Sequence, residues 1–182
     1  MRFPYYARLT AEQKRTYRAS DAIVATDLPD AAALRPAVAA LGHALAAEDR
    51  GAVQHAAATI ANGICRQLSV PPVEVRVLAR RPHGAFGELQ GLYDPGPDPP
   101  RITVWMRTVA KRRVVAFRTF LRTLVHEVGH HLDYELYELE ETFHTEGFFQ
   151  RESSLVHQLL GEAPGAPAGR RRAPAGPASA RH

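Results

Sequence analysis

The stretch from Arg112 to Glu135 constrains this chain more than any other, because its apolar residues recur at helical spacing over about six turns. With His126 set at zero, Phe117, Leu121, Leu124, Val125, Val128, Leu132 and Leu136 fall between about 160° and 280° around the axis. That stripe has to face a core. His130 falls near about 40°, with Thr119 near 20°, Thr123 near 60° and Asp133 near 340°. The two histidines therefore share a polar face opposite the stripe, whereas packed core histidines would lie inside it. The pattern predicts a helix covered on one side and lining a cleft on the other.

The elements before and after it follow from capping and periodicity. Thr10-Ala11-Glu12-Gln13 has the form of a capping box and predicts a short polar helix ending near Ser20. Asp30 is a candidate cap for the next helical segment, with Pro36 near its first turn. Val38, Leu41 and Leu45 repeat at helical spacing up to Arg50-Gly51, where glycine suits a helix end. From Ala52 to Leu68 the face formed by Val53, Ala57, Ile60, Ile64 and Leu68 predicts a further helix. Residues 1–70 thus form an N-terminal helical region, read as a packing layer. Pro71-Pro72 stops the helices, and at Val73, Val75 and Val77 the period becomes two, which predicts a strand. The segments from Glu88 to Tyr93 and from Arg101 to Met106 are two more, around a turn-rich loop from Asp94 to Pro100. A last helix is expected from about Thr145 to Leu160. Beyond Gly161 the chain is mostly Pro, Ala, Gly and Arg, and residues 163–182 are expected to be a disordered tail. Helices, then a small sheet, then helices make an α+β fold.

Charge and cysteine content narrow the functional classes. The formal charge is +4, and the tail holds Arg170, Arg171, Arg172 and Arg181 with no acid. The body is therefore neutral, and nucleic acid is not expected as a partner apart from weak attraction to this basic tail. The single cysteine, Cys65, excludes a disulfide within the chain and reads as a small buried thiol. Met1 to Arg8 has no apolar run of the signal-peptide kind, and the Ala-rich stretch from Ala31 to Ala47 is broken by Arg35, Pro36 and His43. The expectation is a cytoplasmic chain with no membrane partner.

The chemistry is concentrated in His126-Glu127-Val128-Gly129-His130. Two imidazoles four residues apart on a helix reach one ion, and zinc suits imidazole nitrogen while leaving a position open for water. Glu127, about a quarter-turn round from His126, reaches such a water without binding the metal, so it is placed to act as general base and then acid. A catalytic site needs a third protein ligand. On the last helix Phe148, Phe149, Leu155, Val156 and Leu159 lie within about 60° of Glu152. A carboxylate in the middle of an apolar stripe needs a partner, either a metal or an arginine, and the metal reading is favoured. His144 precedes the expected cap Thr145 and is the alternative third ligand, a group stabilising an oxyanion, or a plain loop histidine. Asp133 is a candidate for orienting an imidazole, or else an exposed polar residue near the helix end. His131 falls at the core edge and reads as structural.

With these residues the chain resembles the zincin metallopeptidases, in particular the compact gluzincin-like group of small predicted bacterial metallopeptidases. His126-Glu127-Val128-Gly129-His130-His131-Leu132-Asp133 and the downstream Glu152 carry the resemblance, which extends over about Val73 to Leu160. Leu136 stands where metzincins have their third histidine, so that class is excluded. A relationship to the ImmA/IrrE-type regulatory proteases rests on the histidine pair plus a glutamate on the next helix, although Glu152-Ser153-Ser154 replaces their Glu-Ala-Asn signature. The resemblance implies a zincin-like domain over residues 71–162, in which a small sheet packs on the cassette helix and a ligand-bearing C-terminal helix. It also implies one Zn2+ ion, a peptide or protein substrate, and hydrolysis by metal-activated water with Glu127 as base. It makes Ile102, Thr103, Val104 and Trp105 the candidate edge strand along which extended substrate adds. The competing expectation is a non-catalytic, zinc-stabilised regulatory or interaction protein.

Overall fold

A computed structural model describes residues 3–80, 91–107 and 113–162. After a short 3-10 turn at Pro4–Arg8 comes α1, Ala11–Ala22, opened by the expected capping box: the Thr10 side chain accepts from the Gln13 amide, and the Gln13 side chain accepts from the Thr10 amide. Asp30 caps a second 3-10 turn, Ala31–Leu34, which runs into α2, Arg35–Ala46. This helix ends before Gly51, contrary to expectation. Glu48 takes a positive φ of 55° to turn the chain, and Asp49 accepts from the Ala52 amide to start α3, Arg50–Gln67. Gly51 is therefore in the first turn of α3. The aspartate at the N-cap satisfies an orphan amide, which outweighs the weak breaking tendency of one glycine.

The sheet has strand order β1-β3-β2. Strand β1, Glu74–Arg80, runs parallel to β3, Arg101–Arg107, and β2, Gly91–Asp94, runs antiparallel to it. The expected start of β2 at Glu88 lies outside the described residues. The alternation predicted for β1 holds, with Val73, Val75 and Val77 buried and Leu78 exposed. Strand β3 is hydrogen-bonded on both sides. It therefore has no free edge, and the expectation that Ile102 to Trp105 form an edge strand for substrate is corrected. Among the described residues, the strand beside the cassette helix with one side unpaired is β2.

The cassette helix α4 spans Phe117–Glu135, beginning later than its apolar pattern suggests. Val114 forms an antiparallel bridge with Arg107, and the Val115 amide donates to the Met106 carbonyl at 2.8 Å, so these two residues pair back against the end of β3 instead. Two β-branched residues next to an open strand end favour this pairing over another helical turn. The final helix, α5, spans Glu146–Leu160, with Thr145 accepting from the Phe148 amide and Gly161 closing the end in the left-handed conformation at φ 70°.

One hydrophobic cluster joins these layers. Leu41, Val53, Ile60 and Ile64 of the helical hairpin lie in it with Val77, Ile102 and Val104 of the sheet, Leu121, Leu124, Val125, Val128 and Leu132 of α4, and Leu155 and Leu159 of α5. The α4 members are the stripe predicted from the sequence. The fold is α+β, and no helix among the described residues is long and apolar enough to cross a membrane. Residues 163–182, expected to form a disordered tail, lie outside the described residues.

Candidate metal centre

Because α4 is covered on its apolar side, His126 and His130 project together from the opposite face. The loop that follows α4 returns His144 to them just before Thr145 caps α5. The Nε2 atoms of the three histidines form a nearly equilateral triangle, with sides of 3.0 Å from His126 to His144, 3.2 Å from His126 to His130 and 3.1 Å from His130 to His144. These three side chains form a group that can hold a metal ion.

The far side of two of the rings fixes their protons. His126 Nδ1 lies 2.8 Å from Glu152 Oε2, and a carboxylate can only accept, so this nitrogen carries the hydrogen. His130 Nδ1 lies 2.7 Å from the Thr142 hydroxyl, whose own proton goes to Asp133 Oδ2 at 2.6 Å, so this nitrogen donates as well. A neutral ring held in this way presents a bare Nε2 to the triangle. Burial, with His126 and His144 adding to it, pushes His130 down to about 3, which keeps it neutral across the ordinary pH range. Bare nitrogens 3.2 Å apart have no proton to share between them. Imidazole nitrogens on a tetrahedral zinc stand about 3.3 Å apart, so the donor set suits such an ion with only a few tenths of an ångström of adjustment.

Glu152 does not complete this set. It is only 3% exposed, and its two oxygens face Nδ1 of His126 and the guanidinium of Arg122, on the side of the ring away from the triangle. The expectation that Glu152 is a ligand is corrected: the third nitrogen comes from His144. Arginine neutralises Glu152, and Glu152 in turn fixes the ring that offers its other nitrogen to the metal site. Asp133 is fully buried and orients His130 through Thr142, while its other oxygen pairs with Arg151. Phe148 forms the floor, stacked on His130 at 4.8 Å and edge-on to His126 at 5.0 Å. Gly129 makes room for it, since a Cβ there would come within 3.1 Å of the Phe148 ring.

Glu127 is 5% exposed and points at β2. Its carboxylate accepts the Tyr93 amide and occupies the space where a side chain at position 91 would stand, with a Cβ on Gly91 meeting Oε1 at 2.3 Å. Burial pushes it up to about 7, against the opposing pull of His126 and the Tyr93 amide. His131 is structural, as expected. Its Nε2 donates to the Pro71 carbonyl at 2.8 Å, and its Nδ1 accepts from the Tyr93 hydroxyl at 3.1 Å.

Sequence reasoning did not find Arg122, Thr142, Arg151 or Gly91. Arg122 carried a usable signal, because it falls on the polar face of α4 one turn before His126, where it meets any acid that approaches that ring. The other three act through contacts between separate elements and left no local pattern. No protein-family model, no curated protein and no solved structure matches the chain.

Proposed function

We propose that this chain is a zinc-dependent peptidase of the zincin type, with His126, His130 and His144 as its protein ligands and Glu127 as general base and acid. The observation that carries the reading is the triangle of ε nitrogens, with the His126 and His130 rings tied off behind, next to a buried carboxyl raised toward neutrality. His126, His130 and His144 would hold the zinc ion, which would supply Lewis acidity toward a scissile carbonyl and water. The chain's residues do the rest. Glu127 takes the proton of the attacking water and returns it to the leaving amine nitrogen, and its burial, which favours the protonated form, helps it hold that proton between the two transfers. Glu152 and the Thr142–Asp133 pair keep the Nδ1 protons in place, so that the ligand nitrogens stay bare. Phe148 keeps water from the underside of the His126 and His130 rings.

Zinc titration tests the ligand set. The parent should bind one zinc per chain and cleave an unstructured polypeptide, and both should be lost on chelation. His144→Ala should lose tight binding, whereas Glu152→Ala should still bind one ion with affinity lowered about 10- to 100-fold, the usual effect of removing a partner that orients a ligand. Undiminished affinity in His144→Ala would reject this assignment.

A further inference from the structure

Of the three histidines, only His144 is not on a helix, and it is exposed. His126 and His130 are held by α4 and by the groups behind their rings. The loop carrying His144 is held from the far end of the chain. The Tyr5 hydroxyl donates to the His144 carbonyl at 3.0 Å. Gln13 donates to both carboxylate oxygens of Glu141 at 3.1 Å, three residues before the histidine. Three residues after it, the Gly147 amide donates to Asp21 Oδ1 at 3.1 Å. Gly147 also lets the two backbones meet, because a Cβ there would stand 2.4 Å from the Asp21 carbonyl oxygen. Phe149 stacks on the His144 ring at 5.8 Å and is met on another side by Phe3 at 6.1 Å. Contacts from residues 3–21 therefore lie before, at and after the ligand.

We infer that the N-terminal arm, residues 3–22, presents the third ligand to the metal, and that Tyr5 is a positioning residue of the centre through the His144 carbonyl. Removing one hydrogen bond from that carbonyl frees the backbone that aims the imidazole. The inference rests on the proposed metal site, and the experiment separates the two. Tyr5→Phe keeps the ring and deletes only the hydroxyl. In the full-length chain it should weaken Zn2+ binding about tenfold in competition with a chromophoric chelator. It should also shift the visible absorption bands of the Co2+-substituted protein, while the melting temperature of the metal-free protein stays within about 3 °C of the parent. Zinc affinity within about twofold of the parent, together with an unshifted Co2+ spectrum, would overturn the inference while leaving the metal site intact if His144→Ala has lost tight binding. Weakened affinity that only follows a loss of metal-free stability, with an unshifted spectrum, would overturn it too. Full affinity in His144→Ala would overturn both the inference and the site.

Discussion

Glu127→Gln should retain one zinc per chain and lose hydrolysis by about 10²-fold or more, because the amide can neither take the proton of the attacking water nor deliver one to the leaving nitrogen. The same substitution should have a second, opposite effect. The Glu127 carboxyl is raised from 4.5 to about 7 in the folded chain, mainly by burial. The folded state therefore binds this proton more tightly than the unfolded state does. Its contribution to stability is fully present below about pH 4.5 and is lost as the pH rises through about 7. Above pH 7 the native metal-free chain holds a buried negative charge, at a cost of about 3 kcal/mol for the whole shift. Metal-free Glu127→Gln should accordingly be more stable than the parent at pH 8 and no more stable at pH 4, as read by denaturant midpoints. A variant that is more stable yet inactive would mark a carboxylate retained for chemistry rather than for folding. Full hydrolysis by Glu127→Gln would remove the base from the mechanism. Zinc binding without any hydrolysis by the parent would favour the structural role for the metal instead.

The largest effect on stability is expected at the pair of Asp133 and Arg151. Both are buried, at 0% and 2% side-chain exposure, and Arg151 also donates to the Ser20 and Ile23 carbonyls at the end of α1 and lies over the Phe148 ring. Asp133→Ala leaves a guanidinium without its counter-charge, and Arg151→Met leaves a carboxylate without its own. Each should cost roughly 3–5 kcal/mol in the metal-free protein, and the double substitution should cost clearly less than the sum of the two. Additive losses would mean that the pair is not coupled. Asp133→Ala should also weaken zinc binding, because the Thr142 proton loses its acceptor and becomes free to turn toward His130 Nδ1, which undoes the lock on that ring's tautomer.

Much of this arrangement was legible in the amino-acid order, and the reasons are local. Helical periodicity placed His126 and His130 off the core stripe of α4, and side-chain capping marked the starts of α1 and α5 at Thr10 and Thr145. Helical position also showed that Glu152 is buried and needs a partner. It did not show the partner, because the identity of the group facing Glu152 depends on how α5 crosses α4. His144 was harder to place for a related reason: a residue just before an N-cap has no helical phase, so its direction is set by the loop and by whatever the loop touches. The start of α4 is ambiguous in the sequence because Val114 fits the apolar helical stripe as well as a strand, and only the end of β3 decides between them. The edge-strand expectation for Ile102 to Trp105 comes from the resemblance alone, and sheet order, being a matter of pairing partners, is not legible within one strand.

The contact between Tyr5 and His144 joins residues 139 positions apart. Chain closure over such a span is slow compared with forming one helix, so the two nitrogens on α4 can become neighbours early while the third waits for the opposite end of the chain to dock. Tight metal uptake would then follow the slowest refolding phase rather than the first helical signal. During synthesis, a chain that has not yet released the start of α5 would present two of the three nitrogens, and zinc capture would mark the moment at which the two ends of the fold have met.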